Sequence, residues 1–397
     1  MEISFLLSGQ QISLPLNIFL FFSILALNFF IPFYIAEKFR LKFYIPFTII
    51  IINFVIYSLF LIFEEYGGSD GISFFSETFG NEIYPFQIRD NLIIKLSLIF
   101  KDLKIHYLIV TLLTNILSAI SFLLIYLKFK QNKIINNFNY FLIFFIVCNS
   151  GMLFWSNGLL KDNFILFAVT LFLYSINSNK INFKILISAI IICLLIRPLI
   201  GFFIILSIVI FYNMYFLLKK KFIFLIKLNL LIVLPFIVIF KFILDQYGLK
   251  FDIYIFQQII NEIQSYANSS EDPGFIDGFL TYDTSEMRFY EQYLKYYFGP
   301  LIPINTIFIF LSIQNFANLI ILITFTFNII FNLKKLKDFI LVSNLQCIFF
   351  LYSIIYTMIV PLTCYNLGIA FRQKWMGLVI MTYLMLFFIS FCRRKKI

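Results

Sequence analysis

Apolar runs of about twenty residues follow one another along most of this chain, and the charges are swept into the segments between them. A helix of about that length crosses the roughly 30 Å hydrocarbon core of a bilayer with every backbone polar group satisfied internally. Eleven such spans are predicted: 13–36, 43–63, 106–127, 137–154, 161–177, 184–197, 199–217, 222–244, 314–333, 339–360 and 374–392. The expected fold is all-α, a polytopic transmembrane helical bundle forming one integral membrane domain over residues 1–397. At 61% hydrophobic and 13% charged, the chain carries more apolar surface than a water-soluble domain can bury.

The charges orient the bundle. One alternate set of connections holds nineteen Lys and Arg against two acids, Glu37 and Asp338; the other holds twelve against eighteen. Basic clusters mark cytoplasmic loops, so the expected topology is N-out/C-in. Residues 1–12 hold Glu2 and no Lys or Arg, and no cleavable signal peptide is expected there. The net charge of +11 comes from short clusters at span ends, which suits contact with anionic membrane lipids and gives no reason to invoke nucleic acid.

Two outward loops are long. Residues 64–105 open with a Gly-rich acidic segment and end in an amphipathic stretch (Leu92, Leu96, Ile99, Leu103) expected to lie in the outer interface. Residues 245–313 are rich in Tyr and acids and end in an apolar, Pro-bounded piece, 300–313, expected to re-enter or lie in the interface. Neither loop is large enough for a separate enzyme domain, so any chemistry belongs where the loops meet the outer helix ends.

Three groups of residues there are candidates for chemistry. In Gly67-Gly68-Ser69-Asp70-Gly71 the glycines permit close backbone approach, which would set the Asp70 carboxylate at a substrate; a short helix over 70–79 would put Glu77 on the same face. Asp70 is then a candidate general base or divalent-cation ligand, or a simple helix cap in a turn. Four of the seven arginines (Arg89, Arg197, Arg288, Arg372) lie on the outward side, where topology does not require them. Arg197, Arg372 and Arg288 are candidate phosphate ligands through paired guanidinium hydrogen bonds, with lipid snorkelling and pairing to loop acids as the alternatives. In Phe154-Trp155-Ser156-Asn157-Gly158-Leu159-Leu160-Lys161-Asp162-Asn163, Asp162 suits the helix dipole whereas Lys161 opposes it, which makes Lys161 another candidate phosphate contact. Tyr290, Tyr293, Tyr296 and Tyr297 read as an interfacial aromatic belt or as a sugar-stacking platform.

Several chemistries are disfavoured. His106 is the sole histidine, at the outer start of a span, so a His-based zinc site is excluded and His106 reads as interfacial. The five cysteines have no metal-binding spacing. No phosphate-binding GxxxxGK[ST], GxGxxG or GxSxG motif occurs, so the energy for a reaction would arrive with an activated substrate.

The ordered pieces GGSDGISFF, FWSNGLLKDNFI, LLIRPLIGF and NLGIAFRQKWMGL resemble bacterial membrane proteins of surface-polysaccharide biosynthesis. These include oligosaccharide-repeat-unit (O-antigen-type) polymerases and GT-C-type glycosyltransferases with lipid-linked donors. The resemblance implies glycan transfer from a polyprenyl-(pyro)phosphate-linked donor to an acceptor glycan outside the bacterial plasma membrane, on its periplasmic or extracellular face. It assigns Asp70 as base or metal ligand (Mg or Mn, if any) and Arg197 and Arg372 as pyrophosphate ligands, and it implies polysaccharide-assembly proteins as partners. Two features depart from the GT-C pattern: the Asp70 loop follows the second span, and no paired-acid metal motif is present. The alternatives are a flippase or secondary transporter of an anionic lipid-linked or small substrate, and an assembly subunit without chemistry.

Overall fold

The structure, a computed structural model, describes residues 14–65, 99–100, 102–134, 137–142, 152, 156–157, 161–177, 180–224, 226–227, 229–230, 289–298, 309–332, 344–363 and 367–394. Within them the fold is all-helical, with one isolated bridge, Ile176 to Ile181, and no strand. The principal helices are α1 (Leu14–Lys38), α2 (Tyr44–Glu65), α3 (Tyr107–Gln131), α4 (Lys161–Ser175), α5 (Phe183–Ile196) and α6 (Pro198–Leu218). They continue as α7 (Phe289–Phe298), α8 (Ile309–Phe331), α9 (Cys347–Ile359) and α10 (Leu367–Arg394). Among the described residues, four helices are long and apolar enough to cross a membrane: Pro15–Lys38, Tyr44–Ile62, Tyr107–Gln131 and Pro198–Leu218. Large apolar side chains on α1 point outward, Phe22 62% and Phe30 71% exposed, as a lipid-facing surface requires.

The chain divides into two compact units, Met1–Gly201 with Leu386–Ile397, and Phe202–Met385. In the first, α3 is the central helix, buried along most of its length and packed against α1, α2 and α4; α4 packs in turn on α5. Hydrogen bonds at the helix ends fix the directions. Asn17 at the start of α1 clasps the chain entering α3, its Nδ2 donating to Lys104 O (3.1 Å) and its Oδ1 accepting from His106 N–H (3.0 Å). Tyr57, near the end of α2, bonds Thr111 near the start of α3 at 2.7 Å. Lys128, near the end of α3 and fully buried, donates to Ile176 O and to Asn177 Oδ1 (3.1 Å), tying the end of α3 to the residues that follow α4. The starts of α1, α3 and α4 therefore gather at one end with the finishes of α2 and α5. At the opposite end lie Lys38, Arg40 and Lys42, then Lys130 and Lys133, then Lys180 and Lys184.

Helix ends here use lysine and arginine where glycine is the usual choice. Arg40, Lys104, Lys133 and Lys220 have φ between 50° and 54°, left-handed values that an L side chain adopts at a penalty of about 1 kcal/mol. Each turn closes back on its helix, as in Leu41 N–H to Ala36 O (2.8 Å), Ile134 N–H to Phe129 O (3.0 Å) and Lys221 N–H to Phe216 O (2.9 Å). The cation also suits the negative end of the dipole.

The run 184–217 breaks at Arg197, as expected. Pro198 has no N–H for Leu194 O, so α5 stops, and the same proline suits the first position of α6. Gly201 admits the Leu194 side chain: a Cβ there would sit 2.8 Å from Leu194 Cδ2. The expected spans 161–177 and 184–197 form helices of 15 and 14 residues. At 1.5 Å per residue they rise only about 21–23 Å. A tight turn joins them, with Asn182 N–H on Ser175 O at 2.8 Å.

In the second unit, α7 packs on α8 and on the 3-10 turn Val360–Thr363 that ends α9. Helix α8 begins at Ile309, so the end of the expected re-entrant piece 300–313 is the first turn of a continuous helix. Helix α10 begins at Leu367, seven residues before the expected start, and so takes in Arg372. Gly377 lets α10 approach α9: a Cβ there would lie 2.6 Å from the Tyr356 ring.

Candidate functional site

In the first unit the structure brings together two sequence segments that were separate candidates. Asp162, in the first turn of α4, accepts a hydrogen bond from Arg197 Nη2 at 2.9 Å across 35 residues of chain. The partners differ in exposure: Asp162 is 2% exposed and the Arg197 side chain 18%. A buried carboxylate thus holds a guanidinium that still reaches the rim of the bundle. Asp162 also sits where the α4 dipole favours an anion, so two fields stabilise its charge.

Behind this pair runs a seam of buried neutral polar groups. Asn53 Nδ2 donates to Asn115 Oδ1 (2.8 Å), and Asn115 Nδ2 donates to Asn157 Oδ1. Ser118 Oγ donates to Asn53 Oδ1 (3.1 Å) and shares a 2.8 Å hydrogen bond with Ser156. The polar turn expected to join two spans on the outer side is, at Ser156 and Asn157, fully buried and hydrogen-bonded to α3. Its amide and hydroxyl find partners there that an apolar bundle would otherwise lack.

His106 is a helix cap: its Nδ1 accepts from Leu108 N–H at 3.3 Å at the start of α3. Lys161 opens α4, on the same end as Asp162 and Arg197. Arg372 lies in the second turn of α10 rather than in a loop before it. Asp70, Glu77 and Arg288 lie outside the described residues. Among the described residues no group of three His, Cys, Asp or Glu side chains is placed to hold a metal ion.

The second unit holds a cation that the sequence reading passed over. Lys374, in α10, is 1% exposed. Its Nζ donates to Asn315 Oδ1 on α8 at 3.1 Å and lies 5.7 Å from the centroid of the Tyr296 ring on α7. Helix α7 is fixed above by its other tyrosines. Pro361 has no N–H to donate to Thr357 O, and the Tyr297 hydroxyl donates to that carbonyl at 3.3 Å. The Tyr293 hydroxyl donates to Met358 O, the next carbonyl of the same helix end. Burial raises the pKa of Tyr297 and of Tyr293, which keeps both phenols protonated as donors. Tyr293 and Tyr297 thus anchor α7 and Tyr296 is buried; Tyr290 alone of the four is exposed. The sequence signals were Pro361 four residues after Thr357, and the four-residue spacing of Tyr293 and Tyr297.

No protein-family model matches the chain, and neither a curated protein nor a solved structure matches it.

Proposed function

We propose that this protein is a polytopic membrane glycosyltransferase or polysaccharide polymerase. It moves glycan from a polyprenyl-(pyro)phosphate donor to an acceptor glycan at the outer face of a bacterial plasma membrane, in capsule, O-antigen or exopolysaccharide assembly. In this reading the chain has eleven spans, N-out/C-in. The end carrying Lys38–Lys42, Lys130/Lys133 and Lys180/Lys184 is cytoplasmic, and the end carrying Asp162 and Arg197 is outer. The Asp162–Arg197 pair supports it most. A carboxylate buried to 2% exposure fixes a rim guanidinium in place at that end, so the cation is already positioned for phosphate charge. Lys161 heads the same helix as Asp162, and in sequence Asp70 comes five residues after the last residue of α2, a helix that finishes at the end where α3 and α4 begin. Asp70 activates the acceptor hydroxyl; Arg197, Arg372, Lys161 and Arg288 hold donor phosphates; Glu77 binds acceptor hydroxyls.

Lys374 favours a second reading, a flippase or secondary transporter of an anionic substrate, because a buried ionisable group inside a helical bundle is what a carrier uses. Asp70→Asn and Arg372→Ala separate the two. Under the transfer reading both abolish polymer growth in cells while protein level and membrane insertion stay normal, and lipid-linked units accumulate on the outer face. If the units instead remain facing the cytoplasm, the carrier reading replaces it.

A further inference from the structure

A groove of about 700 Å³ opens between the last turns of α1 and the first turn of α2. Phe30, Phe33, Tyr34 and Glu37 line it from α1, at the i, i+3, i+4 and i+7 positions of one helix face, and Phe43 and Pro46 line it at the other side. The Phe33 and Phe43 rings stack with centroids 4.8 Å apart, which fixes the two helix ends against each other. Phe30, Tyr34 and Phe43 stay exposed, so among the described residues no further helix covers the groove.

Glu37 is out of place there by two measures. It lies in the last turn of α1, where the helix dipole disfavours an anion. Three cations follow within five residues, Lys38, Arg40 and Lys42, yet among the described residues none of these four side chains forms an ion pair. The turn closes through its backbone instead, Arg40 N–H to Glu37 O (2.9 Å) and Leu41 N–H to Ala36 O (2.8 Å). Arg40 and Lys42 flank Leu41, which also lines the groove. An exposed carboxylate therefore heads an aromatic stripe, and the chain brings cations in on the turn beside it.

We infer that this groove binds one phospholipid with a primary ammonium headgroup, phosphatidylethanolamine, selected by Glu37. An acyl chain lies along the stripe from Glu37 to Phe30, a rise of about 10 Å. The headgroup ammonium donates to the Glu37 carboxylate, and the phosphate, a short ethylene link away, faces the cations of the turn. Phosphatidylglycerol uses those cations but offers Glu37 no positive charge. Phosphatidylcholine has the right charges, but its trimethylated nitrogen has no N–H to donate and is left to the aromatic rings. The site holds whichever substrate the chain handles and whichever face of the membrane this end occupies.

The test uses the full chain in maltoside micelles, with bound lipid counted by mass spectrometry of the intact protein. The probes are phosphatidylethanolamine, phosphatidylglycerol and phosphatidylcholine with identical acyl chains. Phosphatidylethanolamine is expected to bind about fivefold more tightly than either of the others. Glu37→Gln is expected to erase that advantage while thermal stability without lipid stays equal or rises, because an anion leaves the negative end of a dipole. Glu37→Asp keeps the charge and is expected to keep the preference. Arg40→Asn combined with Lys42→Gln, asparagine being at ease at the φ of 50° found at Arg40, is expected to weaken phosphatidylethanolamine and phosphatidylglycerol alike. Equal binding of those two lipids by the parent overturns the site, as does a preference that survives Glu37→Gln. Phosphatidylcholine held as tightly as phosphatidylethanolamine overturns it too, since the rings and not the carboxylate would then choose the headgroup. So does a dimer of the chain that leaves no lipid bound.

Discussion

Two cations, one in each unit, are held by opposite means. Arg197 sits at the rim of its bundle, 18% exposed, and is answered by a full negative charge on Asp162. Lys374 is 1% exposed and is answered by an amide oxygen and an aromatic face. The rim pair gains from Coulomb attraction because water relieves part of the desolvation penalty of the guanidinium. The buried lysine meets an amide oxygen on α8 and an aromatic face on α7, so its position depends on how those helices pack against α10. The first arrangement should respond to removal of charge, the second to changes of shape.

The largest effect tests the charge side. Arg197→Ala leaves the Asp162 carboxylate, 2% exposed, without its guanidinium, and should destabilise the protein by about 3 kcal/mol. Asp162→Asn leaves an arginine that water can reach and should lose roughly half as much. Thermal unfolding of the purified protein compares the two. Equal losses would mean that burial of Asp162 plays no part, and the distinction between rim and interior would collapse.

The pairing itself was not legible in the sequence. Asp162 and Arg197 are 35 residues apart, and each had a sufficient local explanation: a helix dipole for the acid, a lipid phosphate for the arginine. The helices were far more legible. Expected spans 13–36, 43–63 and 199–217 became Leu14–Lys38, Tyr44–Glu65 and Pro198–Leu218, because uninterrupted apolar runs end at charged or turn-forming residues on both sides. Where a helix opens among polar or turn-forming residues, the expected start came too late: α8 begins at Ile309 and α10 at Leu367, against 314 and 374, and Asn315 and Lys374 inside them bond each other. Composition records that a residue is charged but not that an amide awaits it on another helix. The left-handed ends at Arg40, Lys133 and Lys220 were hidden for a related reason, since the usual signal is a glycine and none stands there.

The next effect tests the shape side. The Tyr356 ring lies 2.6 Å from the site a Cβ would take on Gly377. It is hemmed in by Tyr352 (centroids 5.7 Å apart) and Phe203 (6.0 Å), so it has little room to swing away. Gly377→Ala adds no charge and a single methyl group, yet should destabilise by about 2 kcal/mol through overpacking. Gly377 is one turn beyond Lys374 on α10, so the substitution should also disturb the packing around that lysine. A variant as stable as the parent would show that α9 and α10 are not closely apposed at Gly377.

The smallest effect concerns the roof over Lys374 and comes with a pH signature. Tyr297→Phe removes the donor that Thr357 O receives in place of the missing Pro361 N–H, a loss of about 1 kcal/mol. Burial raises the Tyr297 pKa above its ordinary value of 10.0, so below pH 10 the phenol is protonated in folded and unfolded chains alike and the hydrogen bond is fully present. Above pH 10 the unfolded chain gives up the proton while the folded one retains it. The folded state then binds more protons, and stability must fall as pH rises further. Thermal unfolding followed from pH 8 to pH 11 should therefore bend downward near pH 10 in the parent, and bend less in Tyr297→Phe. Parallel curves for the two proteins would mean that the Tyr297 hydroxyl is in contact with water, and that α7 is not seated on the end of α9 by this bond.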